Sequence, residues 1–212
     1  MMSTAIDYKT NNEELWNAIS HGIGVILSIP ALVFLILKGI TEGTAMHVVS
    51  YTIFGVSMLL LFLMSTLLHS MPKRVKRVFS ILDHSAIYIL IAGTYTPFLL
   101  ISIQGALGWT LFGIIWGLAI AGILFKVFFI HRYEFVSLIF YIVMGWLIVI
   151  AIKPLIQVLT MPGFMLLLSG GLFYTVGAVF YAWRKLPYNH AIWHVFVIAG
   201  SACMYFCVLI YS

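Results

Sequence analysis

Two histidines four positions apart, His190 and His194, stand at the start of the last apolar run of the chain, which reaches Ser212. On a helix that spacing stacks both imidazoles on one face, a turn apart. It is the simplest way for one helix to offer two nitrogens to a zinc ion. An H-x-x-x-H match is also common with no metal behind it, so the pair needs company. Ser65 and His69, again four apart, close the second apolar run, and Asp83 opens the third. His69, His190 and His194 with Asp83 and Ser65 are the ingredients of an open zinc site. The three imidazoles would ligate at roughly 2.0–2.1 Å and leave the fourth position to water. A set rich in imidazole and poor in oxygen favours Zn2+ over magnesium or calcium. Zinc lowers the pKa of bound water to about 7. Asp83 would hold that water and take its proton, and Ser65 would donate to a ligand, the water or a developing oxyanion. Attack on an amide or ester carbonyl follows, and in a membrane the expected substrate is a lipid.

Each residue also has a plain structural reading. Ser65 can bond back to the carbonyl four residues earlier. Asp83 can serve as a first-turn dipole partner or as a counter-ion to Arg77, and His69 as an interfacial cap of its helix. His84 adjoins Asp83 but points about 100° away on a helix and is left out. His47, at the opposite rim, and His131, in a charged loop, read as solvated. Glu14 and His21, near the chain start with Asn17, read as ordering the N-terminal segment rather than reaching a metal.

The elements that must position these residues are membrane helices. The chain has 212 residues, 63% hydrophobic and 8% charged, with a mean hydropathy of +1.13. So few charges for so much apolar surface mark an integral membrane protein. Crossing the bilayer takes roughly 20 apolar residues in a helix, and the runs are too long for a barrel of alternating strands. The expected fold is all-α: a seven-transmembrane helix bundle. Its spans are drawn at about 17–37, 46–69, 82–103, 107–125, 135–152, 162–183 and 189–211. The fifth is stopped by Lys153-Pro154, and Pro30 and Pro97 kink the first and third. Gln104-Gly105-Ala106-Leu107-Gly108 breaks the long uncharged stretch between Asp83 and Lys126. Residues 1–16 form a short cytoplasmic segment, 17–212 a single transmembrane domain, and no cleavable signal peptide is expected.

The net charge of +5 does not imply nucleic acid, because the positive residues fall in short loops between apolar runs. Lys9, Lys73, Arg74, Lys76, Arg77, Lys126, Arg132, Arg184 and Lys185 share one side, and Lys38 and Lys153 the other. That asymmetry places the N-terminus in the cytoplasm and the C-terminus outside. It also brings His69, Asp83, His190 and His194 to one cytoplasmic rim, with Ser65 one turn deeper. Cys203 and Cys207, both on the last helix, read as small packing residues. Trp109, Tyr133, Trp183 and Tyr188 read as interfacial anchors.

Three segments carry a family resemblance: Glu14-Leu-Trp-Asn17-Ala-Ile-Ser20-His21-Gly-Ile-Gly24; Ser65-Thr-Leu-Leu-His69 followed by Asp83-His84-Ser85 and Tyr88 to Pro97; and His190-Ala-Ile-Trp-His194. Together they resemble the hemolysin III family, the bacterial branch of the progestin and adiponectin receptor group. The resemblance implies seven helices, a cytoplasmic N-terminus and a zinc ion held by His69, His190 and His194, with Asp83 near the metal-bound water and Ser65 beside it. The group is similar to alkaline ceramidases, which implies amide-lipid hydrolysis. A long cytoplasmic N-terminal domain like that of the animal adiponectin receptors is absent from this sequence, so hormone reception is not expected. The leading expectation is a zinc-dependent lipid hydrolase. A sensor or regulator of membrane state with a structural zinc stands second, and a hemolysin or channel last. Oligomeric state and substrate are not readable from the chain.

Overall fold

The computed structural model describes residues 10–130 and 132–212. Lys9 and His131 lie outside the described residues, so their sequence readings have no structural counterpart. The helices are α1 (Asn11–Thr41), α2 (Ala45–Ser70), α3 (Lys76–Pro97), α4 (Gly105–Phe129), α5 (Glu134–Trp146), α6 (Ile152–Val158), α7 (Met161–Ala182) and α8 (Asn189–Tyr211). A π-helical turn, Phe98–Ile103, extends α3, and a 3-10 turn, Leu147–Ala151, joins α5 to α6. Seven of the resulting spans are long and apolar enough to cross a membrane, with Lys76–Ile103 as the third and Glu134–Val158 as the fifth. The all-α seven-span bundle is therefore the observed architecture.

Local chemistry explains the ends. The Thr10 side chain accepts from the Glu13 amide while Glu13 accepts from the Thr10 amide, a reciprocal cap that starts α1 at Asn11, before the expected Asn17. Thr160 caps α7 with Pro162 in the first turn. Gln104 and Gly105 both adopt positive φ, 55° and 60°, and form the expected break before α4. Pro154 does not stop the fifth span. The helix resumes at Ile152 and carries Pro154 through to Val158, because proline is tolerated in a first helical turn, where its missing amide would be unpaired anyway. Lys38, Lys76, Arg77, Lys126 and Lys153 lie within helices rather than loops. Asp83 sits two turns inside α3, not in its first turn.

The burial pattern is inverted relative to a soluble bundle. Ile26, Phe34 and Phe128 are 69%, 60% and 73% exposed, as lipid-facing side chains are. Trp109, Tyr133, Trp183 and Tyr188, read from sequence as anchors, are exposed. The third span is the most enclosed: 72% of its apolar window is buried, against 22% for the first, fourth and fifth. It is the post around which the others stand. Tyr95, on this post, repairs the break in the fifth span. Its hydroxyl accepts from the Ile148 amide at 2.7 Å and lies 3.0 and 2.7 Å from the carbonyls of Met144 and Gly145.

The short connections make neighbouring spans antiparallel. One end of the bundle gathers the start of α1, the end of α2 and the start of α8, tied by Glu14 to His69 and by the Tyr188 amide to Glu13. At the other end the Lys38 ammonium reaches the Leu209 carbonyl, and the Tyr51 hydroxyl donates to the Ser212 carbonyl at 2.9 Å. Beside the histidines α1 lies against α2 with nothing between. A Cβ on Gly24 would stand 2.6 Å from the Phe62 ring. Gly24→Ala is therefore expected to destabilise the protein by about 1–3 kcal/mol through overpacking, read as a lowered unfolding midpoint in detergent. An unchanged midpoint would show that α1 is not seated on Phe62.

Candidate metal centre

The last turn of α2 brings in His69 and the first turns of α8 bring in His190 and His194. One ligand atom from each lies within 4.8 Å of the others, and together they could hold a metal ion. His69 Nε2 and His190 Nε2 are 3.2 Å apart. Two nitrogens bound to one ion at roughly 2.0–2.1 Å with a tetrahedral angle between them stand about 3.3–3.4 Å apart. The observed spacing thus suits a shared ion. His69 does not turn outward to lipid, and its reading as an interfacial cap is set aside.

The surroundings fix which nitrogen faces inward. His69 Nδ1 is 2.9 Å from a Glu14 carboxylate oxygen. An ionised carboxylate only accepts, so Nδ1 donates and Nε2 keeps its lone pair. His194 Nδ1 is 3.1 Å from the Asn17 backbone carbonyl, again an acceptor only, and 2.9 Å from the Ser20 hydroxyl. Its Nε2 is likewise the lone-pair nitrogen. Ligand histidines are ordinarily oriented in this way, by a carboxylate or carbonyl on the far nitrogen. Glu14 also accepts from Lys76 at 2.8 Å, so one carboxylate links α1, α2 and α3.

Ser65 Oγ is 3.4 Å from His194 Nε2. It faces the histidines, whereas its neighbour Thr66 bonds back to the Phe62 carbonyl. Asp83 is 7% exposed and stands outside the three-histidine group. It lines, with Ser65, His190 and His194, a cavity of about 130 Å³. The cavity runs between α3, α5, α7 and α8, past Leu90 and Ile91 to Tyr95 and Met204. His84 also lines it, but its Nδ1 is engaged with the Ser80 carbonyl at 2.7 Å. His47, read as solvated, makes exposed hydrogen bonds with Thr44 that close the start of α2.

Glu14 and His21 lie outside the three-histidine group, and these contacts add to their ordering of the N-terminal segment. Glu14 holds a ligand-type histidine. The His21 ring stacks on His194 with centroids 3.5 Å apart, and both its nitrogens are buried without a hydrogen-bond partner among the described residues. The signal lay in the sequence as a stripe. Glu14, Asn17, His21, Gly24 and Ser28 recur at helical spacing, and from Asn17 on they are, with Leu35 and Gly39, the buried residues of an otherwise lipid-facing α1.

The purified protein is expected to carry about one metal ion per chain. His190→Ala should abolish that content, and Glu14→Gln should lower the affinity roughly 10–100-fold, measured by competition with a chelator. A Glu14→Gln protein that holds metal as tightly as the parent would remove Glu14 from the site.

The match to known proteins covers nearly the whole chain. Residues 9–205 fit the family described as haemolysin-III related. Hemolysin-3 of Bacillus cereus is 64% identical over 201 residues, covering 94% of this chain and 91% of that protein. The Hemolysin-3 homolog of Bacillus subtilis (strain 168) is 60% identical over 203 residues, 95% of each. The monocyte to macrophage differentiation factor of Homo sapiens is 30% identical over 206 residues, 92% of this chain and 83% of that protein. On that coverage, and with seven apolar spans, the chain belongs to the haemolysin-III-related family and is a multi-pass protein of the cell membrane.

Proposed function

We propose that the protein is a zinc-dependent membrane hydrolase that cleaves an amide- or ester-linked lipid. One observation carries the reading: two of the three grouped histidines, His190 and His194, line one largely apolar cavity together with Ser65 and Asp83. An imidazole-only donor set favours zinc over harder ions. Zinc held there supplies Lewis acidity and a water acidified toward neutral pH. Lys73, Arg74, Arg184 and Lys185, in the connections at this end, support the cytoplasmic leaflet as its side.

The chain's own residues do the rest. The wall made by Ile87, Leu90, Ile91 and Val197 takes an acyl chain. From Asp83 to Tyr95 it follows α3 for about 18 Å at 1.5 Å per residue. Asp83 accepts a proton from the attacking water at its carboxylate and passes it to the departing nitrogen or oxygen. Ser65 Oγ donates to the oxygen on which negative charge develops. The C–N or C–O bond breaks, leaving a fatty acid and an amine or alcohol. Partly apolar surroundings strengthen these interactions.

A second reading, a membrane sensor with structural zinc, has its own support. The histidine contacts pin α1, α2 and α8 to one point. A lytic role, carried by the name of the Bacillus cereus relative, has less. The cavity wall beyond Asp83 is mostly apolar, with Leu90, Ile91 and Val197 among its residues, and its Thr94, Tyr95, Tyr174 and Thr175 hydroxyls are scattered among them.

Asp83→Asn separates the readings. The enzyme reading expects metal content unchanged and hydrolysis reduced about 10²–10⁴-fold, followed by mass spectrometry of released fatty acid from N-acyl and O-acyl lipids. The sensor reading expects Asp83→Asn to be stable and functional while His190→Ala unfolds. Wild-type protein that is loaded with zinc yet releases no fatty acid from either class would discard the enzyme.

A further inference from the structure

Lys126 is a cation in a place where lysines are rarely left. It sits in the last turn of α4, from which a lipid-facing lysine would extend its stem to the membrane surface and keep its ammonium in water. Instead it is 1% exposed and lines the cavity that holds Asp83 and His190. Interaction with the carbonyl end of α4 would favour a lysine here, but that role is served as well by an exposed one. Among the described residues the ammonium makes no hydrogen bond or ion pair. Glu134, the carboxylate at the start of α5, is taken by Arg184 at 2.7 Å. Asp83 and Glu134 act on Lys126 across a gap rather than by contact. A buried, unpaired charge facing a cavity is costly in the free protein and becomes useful when a ligand brings the opposite charge.

We infer that Lys126 receives an anionic group, phosphate or carboxylate, on the lipid that enters this cavity, so the substrate class is an acyl lipid with a charged headgroup rather than a neutral one. This rests on the hydrolase reading for its chemistry, but binding tests it separately. The acyl chain lies along α3 and α8, the scissile carbonyl meets Ser65 and the histidines, and the headgroup oxyanion accepts from the Lys126 ammonium in a charge-assisted hydrogen bond.

The test uses ether lipids, which have no acyl ester or amide bond for the proposed hydrolase to cut. Purified protein in a neutral detergent is titrated with 1-O-octadecylglycerol 3-phosphate and with 1-O-octadecylglycerol. Binding is followed by the fluorescence of Trp146 and Trp193 in the cavity wall. The phosphate-bearing lipid is expected to bind about tenfold tighter or more. Lys126→Met should bind the two alike, with its affinity for the neutral lipid unchanged, and Lys126→Arg should keep the preference. Lys126→Gln serves if the methionine variant does not fold. Inorganic phosphate at millimolar concentration should not displace the phosphorylated lipid; displacement would make the site one for a free anion and overturn the lipid assignment. Equal affinities in the wild type, or a preference that survives Lys126→Met, would also overturn it. A Lys126-dependent preference in a protein that hydrolyses no lipid would leave this inference standing and remove the hydrolase. A working hydrolase with no preference would do the reverse.

Discussion

Within a bilayer a polar group finds its partner inside the protein or not at all. Three imidazoles near one membrane rim are the most demanding expression of that constraint here. Each ring has two nitrogens, and on His69 and His194 the outer one is committed to an acceptor on α1. What remains is a set of inward lone pairs that repel one another unless a cation or a proton lies between them. The rest of the structure follows from keeping those nitrogens at that distance. The hydrogen-bonded start of α1, the direct seating of Gly24 on Phe62 and the carboxylate shared by His69 and Lys76 all brace the same point.

The bundle divides this labour unevenly. The third span is enclosed and supplies one wall of the cavity, including Asp83 and Tyr95. The first span faces lipid over most of its surface and gives only one narrow stripe inward. Even so, that helix holds the far nitrogens of His69 and His194, through Glu14 and the Asn17 carbonyl. A helix on the outside of the bundle thus sets the orientation of groups at its centre.

The number of spans, the break at Gln104-Gly105 and the pairing of His69 with His190 and His194 were legible in the sequence. The first two rest on run length and on a glycine-rich turn, and the spacing of His190 and His194 is local to one helix, whereas His69 was joined to that pair by shared membrane depth in the seven-span topology and by the family resemblance. Glu14 and His21 were readable only as a stripe, because their partners lie on α2 and α8, and no local rule says which helix a stripe will face. Lys126 was misplaced for a related reason. A charge near the end of an apolar run is ordinarily a loop residue, and only the packing of α4 against the cavity turns it inward. Pro154 misled because a proline stops a continuing helix but suits the first turn of a new one, and the 3-10 turn that separates the two has no sequence signature of its own.

At that turn the Ile148 amide donates to the Tyr95 phenol, whose own proton is within reach of the Gly145 carbonyl and of the Met144 carbonyl, the latter also accepting from the Leu147 amide. The far end of the cavity is therefore a rigid stop rather than a soft one: a tail too long for it has no slack to gain from the fifth span without unpairing main-chain groups against hydrocarbon. On the hydrolase reading, the limit on chain length would reside in a single aromatic oxygen at the opposite end of the cavity from the histidines.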